Sequence, residues 1–442
     1  MNGSFDRGLT PKMRPLQPRR STVLSVLDIG TNKVVCLVAR LRPIEGAELL
    51  SSRSHQVQIL GVGHQRARGV KAGAIVDMEQ AEQSIRLAVD AAERMAQRRL
   101  ESVIVNISTG RLGSEHYSAT VPCAGHQVAD ADIHRVLDAG ATHAMRERRA
   151  VLHSIPIGHS LDGVGGIRDP RGMLGQNLGV DMHIVTTDSA PAKNLMLAIE
   201  RCHLSVEAMV ATPYASGLAT LVDDESEMGA TLIDMGAGTT TVGVFHHRHL
   251  VHADSIAIGG SHVTMDVARG LSTRLAEAER LKVLYGATIA SPSDDRELIT
   301  VPTVGDDERD GSYQTARSKL VRIIRPRIEE ILELIRDRLK AGGAWAESGR
   351  RIVLTGGASQ LTGFPDLARK ILDRNVRLGR PLGVSGLPEA AKGPAFAAAV
   401  GLTVYPQFAE IEHFEPQHSG RGLATGTDGY IARVGRWLKQ SF

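Results

Sequence analysis

One pattern occurs twice in this chain: an apolar run ends on a single acid, turns through glycine and resumes as a second apolar run. The copies are "VLDIGTNKVVCLVA" at 26–39 and "LIDMGAGTTTVGVF" at 232–245. In each, β-branched and aliphatic residues make a strand, Val23 to Leu27 or Thr231 to Ile233, and a second strand resumes at Val34 or Thr240. The turn between them is short. Gly30, Gly236 and Gly238 can take positive φ and bring main-chain N–H groups close to an anion, while Thr31, Asn32, Thr239 and Thr240 add side-chain donors. The acids Asp28 and Asp234 are repelled by phosphate, but each can orient a hydrated Mg²⁺ that bridges phosphates. Taken alone, either stretch is weak evidence, since an ordinary β-hairpin is the favoured reading of it. Their repetition makes them a candidate pair of phosphate loops.

A third stretch, "RIVLTGGASQLTGF" at 351–364, is a buried-type strand followed by Gly356-Gly357, Ser359 and a helix start. Missing side chains there let backbone lie flat against a ribose or adenine ring. A matching turn opens a helix after Gly259-Gly260. In "AERLKVLYG", Glu279 and Lys282 stand at i, i+3 on one helix face, where they can flank a nucleoside. For an isolated pair of this kind a surface ion pair is the favoured alternative.

At 442 residues and 42% apolar content the chain has material for roughly two to four domains with substantial cores. Cys36, Cys123 and Cys202 show neither framework spacing nor a Cys-x-x-Cys pair, so no disulfide scaffold or zinc site is expected, and a reducing cytosol fits. No signal-peptide stretch and no window of about 18 apolar residues is present, so a soluble body is expected. The net charge of +3 hides an asymmetry: residues 1–20 carry +4 and residues 429–442 carry +3, leaving about −4 for the body. Basic ends on an acidic body suit an anionic surface, although for the N-terminal tail simple solvation is an equal alternative.

In this order the motifs resemble the actin-like ATPase superfamily, which includes Hsp70 chaperones and sugar kinases. The resemblance implies an α/β fold of two lobes with a duplicated ribonuclease H-like core, and ATP with Mg²⁺ in the cleft. It assigns Asp28, Gly30, Thr31, Asn32 and Lys33 to the first phosphate motif, Asp234, Gly236, Gly238, Thr239 and Thr240 to the second, and Gly356, Gly357 and Ser359 to the adenosine motif. "MVATPYASGLATL" at 209–221 and "GPAFAAAVGLTVY" at 393–405 look like the two connecting helices that cross between lobes. Many relatives carry Glu or Gln before the Pro of the first of these, to orient the attacking water; this chain has Thr212 before Pro213. A threonine hydroxyl is a poor general base, so slow hydrolysis is expected, with ATP acting as a conformational clamp.

Residues 148–186, with "HSIP", "GIRDPRGMLG" and "MHIVT" in order, resemble the inserted subdomain of the FtsA family of bacterial cell-division proteins. The likeness runs from about 23 to 406, nearly nine-tenths of the chain. By pattern alone the insert reads only as a small α+β unit with several turns. The resemblance implies a first-lobe core from 21–109 and 184–221, an inserted subdomain at 110–183, a second-lobe core from 222–265 and 346–390, a small subdomain at 266–345, and a helix at 391–406 returning to the first lobe. Residues 1–20 are expected to be a disordered basic tail. Within the small subdomain, 291–312 reads as a strand pair with an acidic loop.

The C-terminus adds an independent signal. In "GYIARVGRWLKQSF", Tyr430, Ile431, Val434, Trp437, Leu438 and Phe442 make one helical stripe, flanked by Arg433, Arg436 and Lys439. It follows a Gly-, Ser-, His- and Thr-rich stretch at 407–428 that reads as a flexible tether. Such a helix suits an anionic membrane interface; docking on the chain's own body is the alternative. The family resemblance carries the same tether and helix. It further implies self-assembly into an actin-like filament and attachment of the tubulin-like ring protein FtsZ, whose C-terminal tail would meet the 266–345 subdomain near Arg317, Arg322, Arg325 and Arg327, although any single one of these suits a solvated face. Later membrane proteins of the divisome are further expected partners, nucleic acid is not, and the expected place is the cytoplasmic side of the inner membrane at the septum. A sugar- or acetate-type kinase or an Hsp70-like chaperone shares the nucleotide motifs but has no use for such a terminus. Actin-like proteins of the pilus-assembly or shape-determining type are nearer rivals.

Overall fold

The computed structural model describes residues 10–413 except 14, 18, 45–51, 110, 142–147 and 305–310. The tether beyond 413 and the terminal stripe 430–442 therefore lie outside the described residues.

Each copy of the repeated pattern folds as a strand, a tight turn and an antiparallel return strand, and each becomes the middle of a larger sheet. Thr22–Ile29 pairs with Lys33–Pro43 so that Asp28 faces Val35; Ala230–Met235 pairs with Thr240–His246 so that Asp234 faces Thr241. On the other side of each first strand lies a parallel neighbour, Ser102–Ile107 or Arg351–Thr355. The first sheet has six strands, in the order 205–211, 102–107, 22–29, 33–43, 55–66 and 384–385. The second has five, in the order 249–256, 240–246, 230–235, 351–355 and 375–378. The likeness of the two orders is the duplication in three dimensions, the two-lobed α/β arrangement that the resemblance implies.

Burial explains why the pattern alternates so little. In the first lobe Val34 through Ala39 are all without exposed surface, because helices cover both faces of a sheet of this kind. Met78–Ala96 is one cover; Asp77 caps it by accepting from Gln80 N at 3.1 Å, and the left-handed Gln97 ends it. The connecting helices Thr212–Thr220 and Ala397–Val404 pack on each other between the lobes. They approach so closely that a Cβ at Gly401 would stand 1.7 Å from the Ala215 carbonyl oxygen. Only glycine permits that crossing.

Inserted between the strands of the first lobe is a four-stranded antiparallel sheet, in the order 113–122, 177–188, 149–161 and 164–167, with the helix Asp130–Ala141 and its own apolar core. This sheet meets the second lobe through polar contacts. His183 Nδ1 bonds the Leu250 carbonyl at 2.6 Å and His116 Nε2 the Val251 carbonyl at 2.8 Å. Ser114 Oγ accepts from Ala253 N, and Ser255 Oγ accepts from Leu112 N while donating to the Thr109 carbonyl. The small subdomain consists of a strand pair, 298–302 with 312–316, and helices that include Arg317–Ala341. That helix buries Leu320, Ile324, Ile328, Ile331, Ile335 and Leu339 along one side.

Two expectations about the chain's ends require correction. Within the tail expected to be disordered, Thr10 and Pro11 are buried, Thr10 Oγ1 donating to the Val151 carbonyl at 2.8 Å and Lys12 Nζ to that of Leu152, whereas Arg19 and Arg20 are exposed. The tether does not start at 407, because Gln407 accepts from His55 N and the chain continues in short turns to Glu412, whose carboxylate meets His153 Nδ1 at 3.0 Å with both side chains fully buried. His413 then bonds Asp138 of the inserted helix. Burial holds the Lys12 ammonium down at about 7, and Glu412 pulls it partly back. Ends rich in polar residues are thus fixed by pairing with one another.

Glu412→Ala leaves Lys12 and His153 buried without their acid. It is expected to lower stability by about 2 kcal/mol, read as a drop in the urea unfolding midpoint; an unchanged midpoint would show that the cluster contributes nothing.

Candidate nucleotide-binding cleft

The two turns face each other across the lobes. Each is closed by the same bond, Gly30 N to the Lys33 carbonyl and Gly236 N to the Thr239 carbonyl, both 2.9 Å. A Cβ at Gly238 would lie 2.3 Å from Thr31 Oγ1, so the tips touch and position 238 has room only for glycine. Thr31 Oγ1 also accepts from Gly73 N, and Asn32 is exposed, with its carbonyl accepting from Ala67 N.

Behind the tips the two acids are buried within reach of one another and of one lysine. Burial, and then the charge of Asp234, raises Asp28 to about 6, against the pull of Lys33 and a hydrogen bond from Asn106. Asp234 is likewise raised to about 6 by burial, against a hydrogen bond from Ser216 and the charge of Lys33. Burial lowers Lys33, and the two acids push it back up. Its Nζ lies 3.8 Å over the ring of Phe396 and donates to the Ala395 carbonyl, which pins it at the floor of the cleft beside the second connecting helix. Two carboxylates against one cation form a donor set short of positive charge, which suits a divalent metal.

The remaining candidates frame the cleft in ways their spacing does not reveal. Gly259 and Gly260 support the second loop: Gly260 N donates to the Gly236 carbonyl at 2.9 Å and Ser261 N to that of Ala237 at 2.8 Å. Lys282 is buried and donates to the Gly260 carbonyl, to Thr264 Oγ1 and, at 2.7 Å, to Glu279 Oε2. The two thus form the i, i+3 ion pair favoured for them in isolation, with Glu279 half-exposed and Lys282 buried, and the further bonds of Lys282 tie Leu275–Tyr285 to the start of Gly260–Gly270. Gly356 has φ of 84°, and a Cβ there would lie 2.3 Å from Asp234 Oδ1. The hydroxyl of Ser359 turns back to the Gly356 carbonyl at 2.7 Å and holds that turn, while Gly357 is exposed at its surface. Thr240 Oγ1 donates to the Ile258 carbonyl at 2.7 Å, and Thr239 is buried.

Thr212 has a full set of partners, donating to the Ile107 carbonyl at 3.0 Å and accepting from Asn106 Nδ2 at 3.2 Å. Two residues touching the acids were not foreseen as site residues, Asn106, which lies in no motif, and Ser216, which lies in the connecting-helix stretch 209–221. The signal of Asn106 in the sequence is a polar residue within an otherwise apolar run, whereas Ser216 is one of several hydroxyl residues in Thr212–Thr220 and nothing sets it apart.

The family model described as Cell division protein FtsA matches residues 231–401, and that described as the SHS2 domain inserted in FTSA matches 109–186. Cell division protein FtsA of Agrobacterium fabrum is 55% identical over 440 residues, covering 100% of this chain and 99% of its own length. The protein of that name from Escherichia coli K12 is 31% identical over 424 residues, covering 94% and 97%. Among solved structures, the PilM–PilN type IV pilus biogenesis complex superposes with a TM-score of 0.60 at 16% identity, covering 87% of this chain and 98% of that one. MreB5 of Spiroplasma citri bound to ADP gives 0.50 at 12%, covering 88% and 97%. These two share the fold; the full-length relatives and the matched insert establish that the chain belongs to the FtsA family of bacterial cell-division proteins.

Proposed function

We propose that this cell-division protein binds ATP with Mg²⁺ between its lobes and attaches the FtsZ ring to the cytoplasmic face of the inner membrane at the septum. The observation that carries the nucleotide part is the contact of the two loop tips above a buried pair of acids, Asp28 and Asp234, with Lys33 as their cation. ADP in the similarly folded MreB5 supports that reading. The amides and hydroxyls of 30–32 and 236–240 would hold phosphates, the two acids would orient the hydrated metal, and the exposed Gly357 turn would meet the nucleoside. Mg²⁺ held there would supply charge neutralisation to the phosphates. Thr212, with its proton committed to the Ile107 carbonyl, has none of the basicity needed to activate water. Turnover is therefore slow, and the nucleotide serves chiefly to set the angle between lobes.

Membrane attachment rests on the sequence of 429–442, with aromatic and aliphatic residues on one stripe and three cations beside it. No helix among the described residues is long and apolar enough to cross a membrane, in keeping with peripheral attachment. One such short helix binds weakly. Assembly of copies into a filament presents many together and converts marginal affinity into firm attachment. The small subdomain at 266–345 receives the FtsZ tail, and the assembled array recruits later membrane proteins of the divisome.

Asp28→Asn and, separately, Gly238→Val, which drives a side chain into Thr31, are each expected to weaken Mg²⁺-dependent ATP binding at least about ten-fold; wild-type affinity in both, by equilibrium dialysis, would rule out this cleft. A chain ending at residue 428 is expected to stay in the supernatant when the intact protein sediments with vesicles containing anionic phospholipid. Equal sedimentation of the two would remove the terminal helix as the anchor.

A further inference from the structure

Both acids of the cleft are held from one face of the first connecting helix. Ser216 has no exposed surface, and its hydroxyl donates to Asp234 Oδ2. Four residues earlier, Thr212 accepts from Asn106 Nδ2; Asn106 Oδ1 accepts from Ile29 N at 2.9 Å, and the Asn106 side chain also hydrogen-bonds Asp28. Positions i and i+4 of a helix lie one above the other. The same helix face thus addresses an acid of the second lobe directly and an acid of the first through Asn106.

The direction of the Ser216 bond is the informative detail. A buried helical serine or threonine ordinarily returns its proton to the carbonyl four residues back, as Thr220 does here to Ser216 at 2.7 Å. Ser216 instead leaves its own helix and crosses to the end of Ala230–Met235 in the other lobe. Burying a hydroxyl there is costly without a partner, and the partner it takes is the acid, not the backbone. The other carboxylate oxygen, Asp234 Oδ1, lies against Gly356, so both oxygens have fixed neighbours.

We propose that Ser216 is a positioning residue for Asp234: by holding Oδ2 it presets the rotamer in which that carboxylate meets the hydrated cation of a bound nucleotide. This rests on the reading of the cleft as an ATP–Mg²⁺ site. Ser216 acts through the acid, so its effect appears only when the metal is present and disappears when the acid is removed.

The test is ATP affinity by fluorescence-free calorimetry on the full chain, in Mg²⁺ and in EDTA, for wild type, Ser216→Ala, Asp234→Asn and the double variant. Ser216→Ala is expected to bind ATP about ten-fold more weakly in Mg²⁺, to match wild type in EDTA, and to add no loss on top of Asp234→Asn. The EDTA arm also reports folding, since a distorted cleft loses affinity there too. Equal losses in both buffers, a further loss in the double variant, or no loss in Mg²⁺ would each overturn the assignment. Wild type without ATP affinity in either buffer would overturn the reading of the cleft and this proposal with it, whereas a Ser216→Ala chain equal to wild type in Mg²⁺ overturns this proposal alone.

Discussion

Two carboxylates from different halves of the chain are buried together with a single lysine, and much of the surrounding architecture follows from that charge imbalance. Asp28 and Asp234 are each pushed up to about 6, chiefly by burial. A site built this way is unfavourable by itself, so neighbouring residues must compensate. Lys33 supplies charge from below, Asn106 and Ser216 supply hydrogen bonds from the side, and Gly356 yields the space of a side chain. The features that make the cleft suited to a hydrated cation are the same ones that make it costly without one.

The duplicated loops were legible in the sequence because their chemistry is local. An apolar strand, an acid, a glycine turn and a return strand occupy fewer than twenty consecutive residues, and the pairing register of each is set inside that window. The insert and its family were legible for a different reason, a resemblance spread along the chain. The roles of individual residues at the rim were not. Gly260, Lys282 and Ser359 sit where nucleotide contacts were expected, yet their polar groups pair with protein: with the Gly236 carbonyl, with Glu279 and Thr264, and with the Gly356 carbonyl. Which partner a donor takes depends on what another part of the fold brings to it, and spacing carries no record of that.

The same limit explains the ends of the described chain. Thr10, Lys12, Glu412 and His413 are polar residues in segments without apolar periodicity, and such segments read as solvated. Their burial comes from meeting each other and His153 between the first lobe and the inserted subdomain. Periodicity detects elements that bury an apolar face; it is silent about segments anchored by a few charged contacts. Asn106 escapes for the converse reason, as a polar group inside an apolar strand, and Ser216 because it stands among other hydroxyl residues in a helix buried on nearly every side.

The polar seam between the inserted sheet and the second lobe limits how the lobes can move. His183 and Ser255 make buried bonds to the segment 250–255 or the chain facing it, where stranding a partner costs about 1 to 3 kcal/mol each, and the part-buried bonds of His116 and Ser114 add less. Breaking all four would thus require several kcal/mol, whereas coupling between two ligand states is typically only about 1 to 3 kcal/mol. A nucleotide-driven change is therefore expected to leave the seam intact and to appear elsewhere. The crossing of the two connecting helices offers little slip, because Gly401 already stands against the Ala215 backbone. What remains free to adjust is the approach of the two loop tips, where Gly238 and Thr31 touch without a hydrogen bond between them among the described contacts. Small changes there would alter the separation of Asp28 and Asp234, whose neighbours converge on one helix face. If the proposed nucleotide binds between the tips, it would act on that short distance, and the intact seam would move with the inserted subdomain as one body.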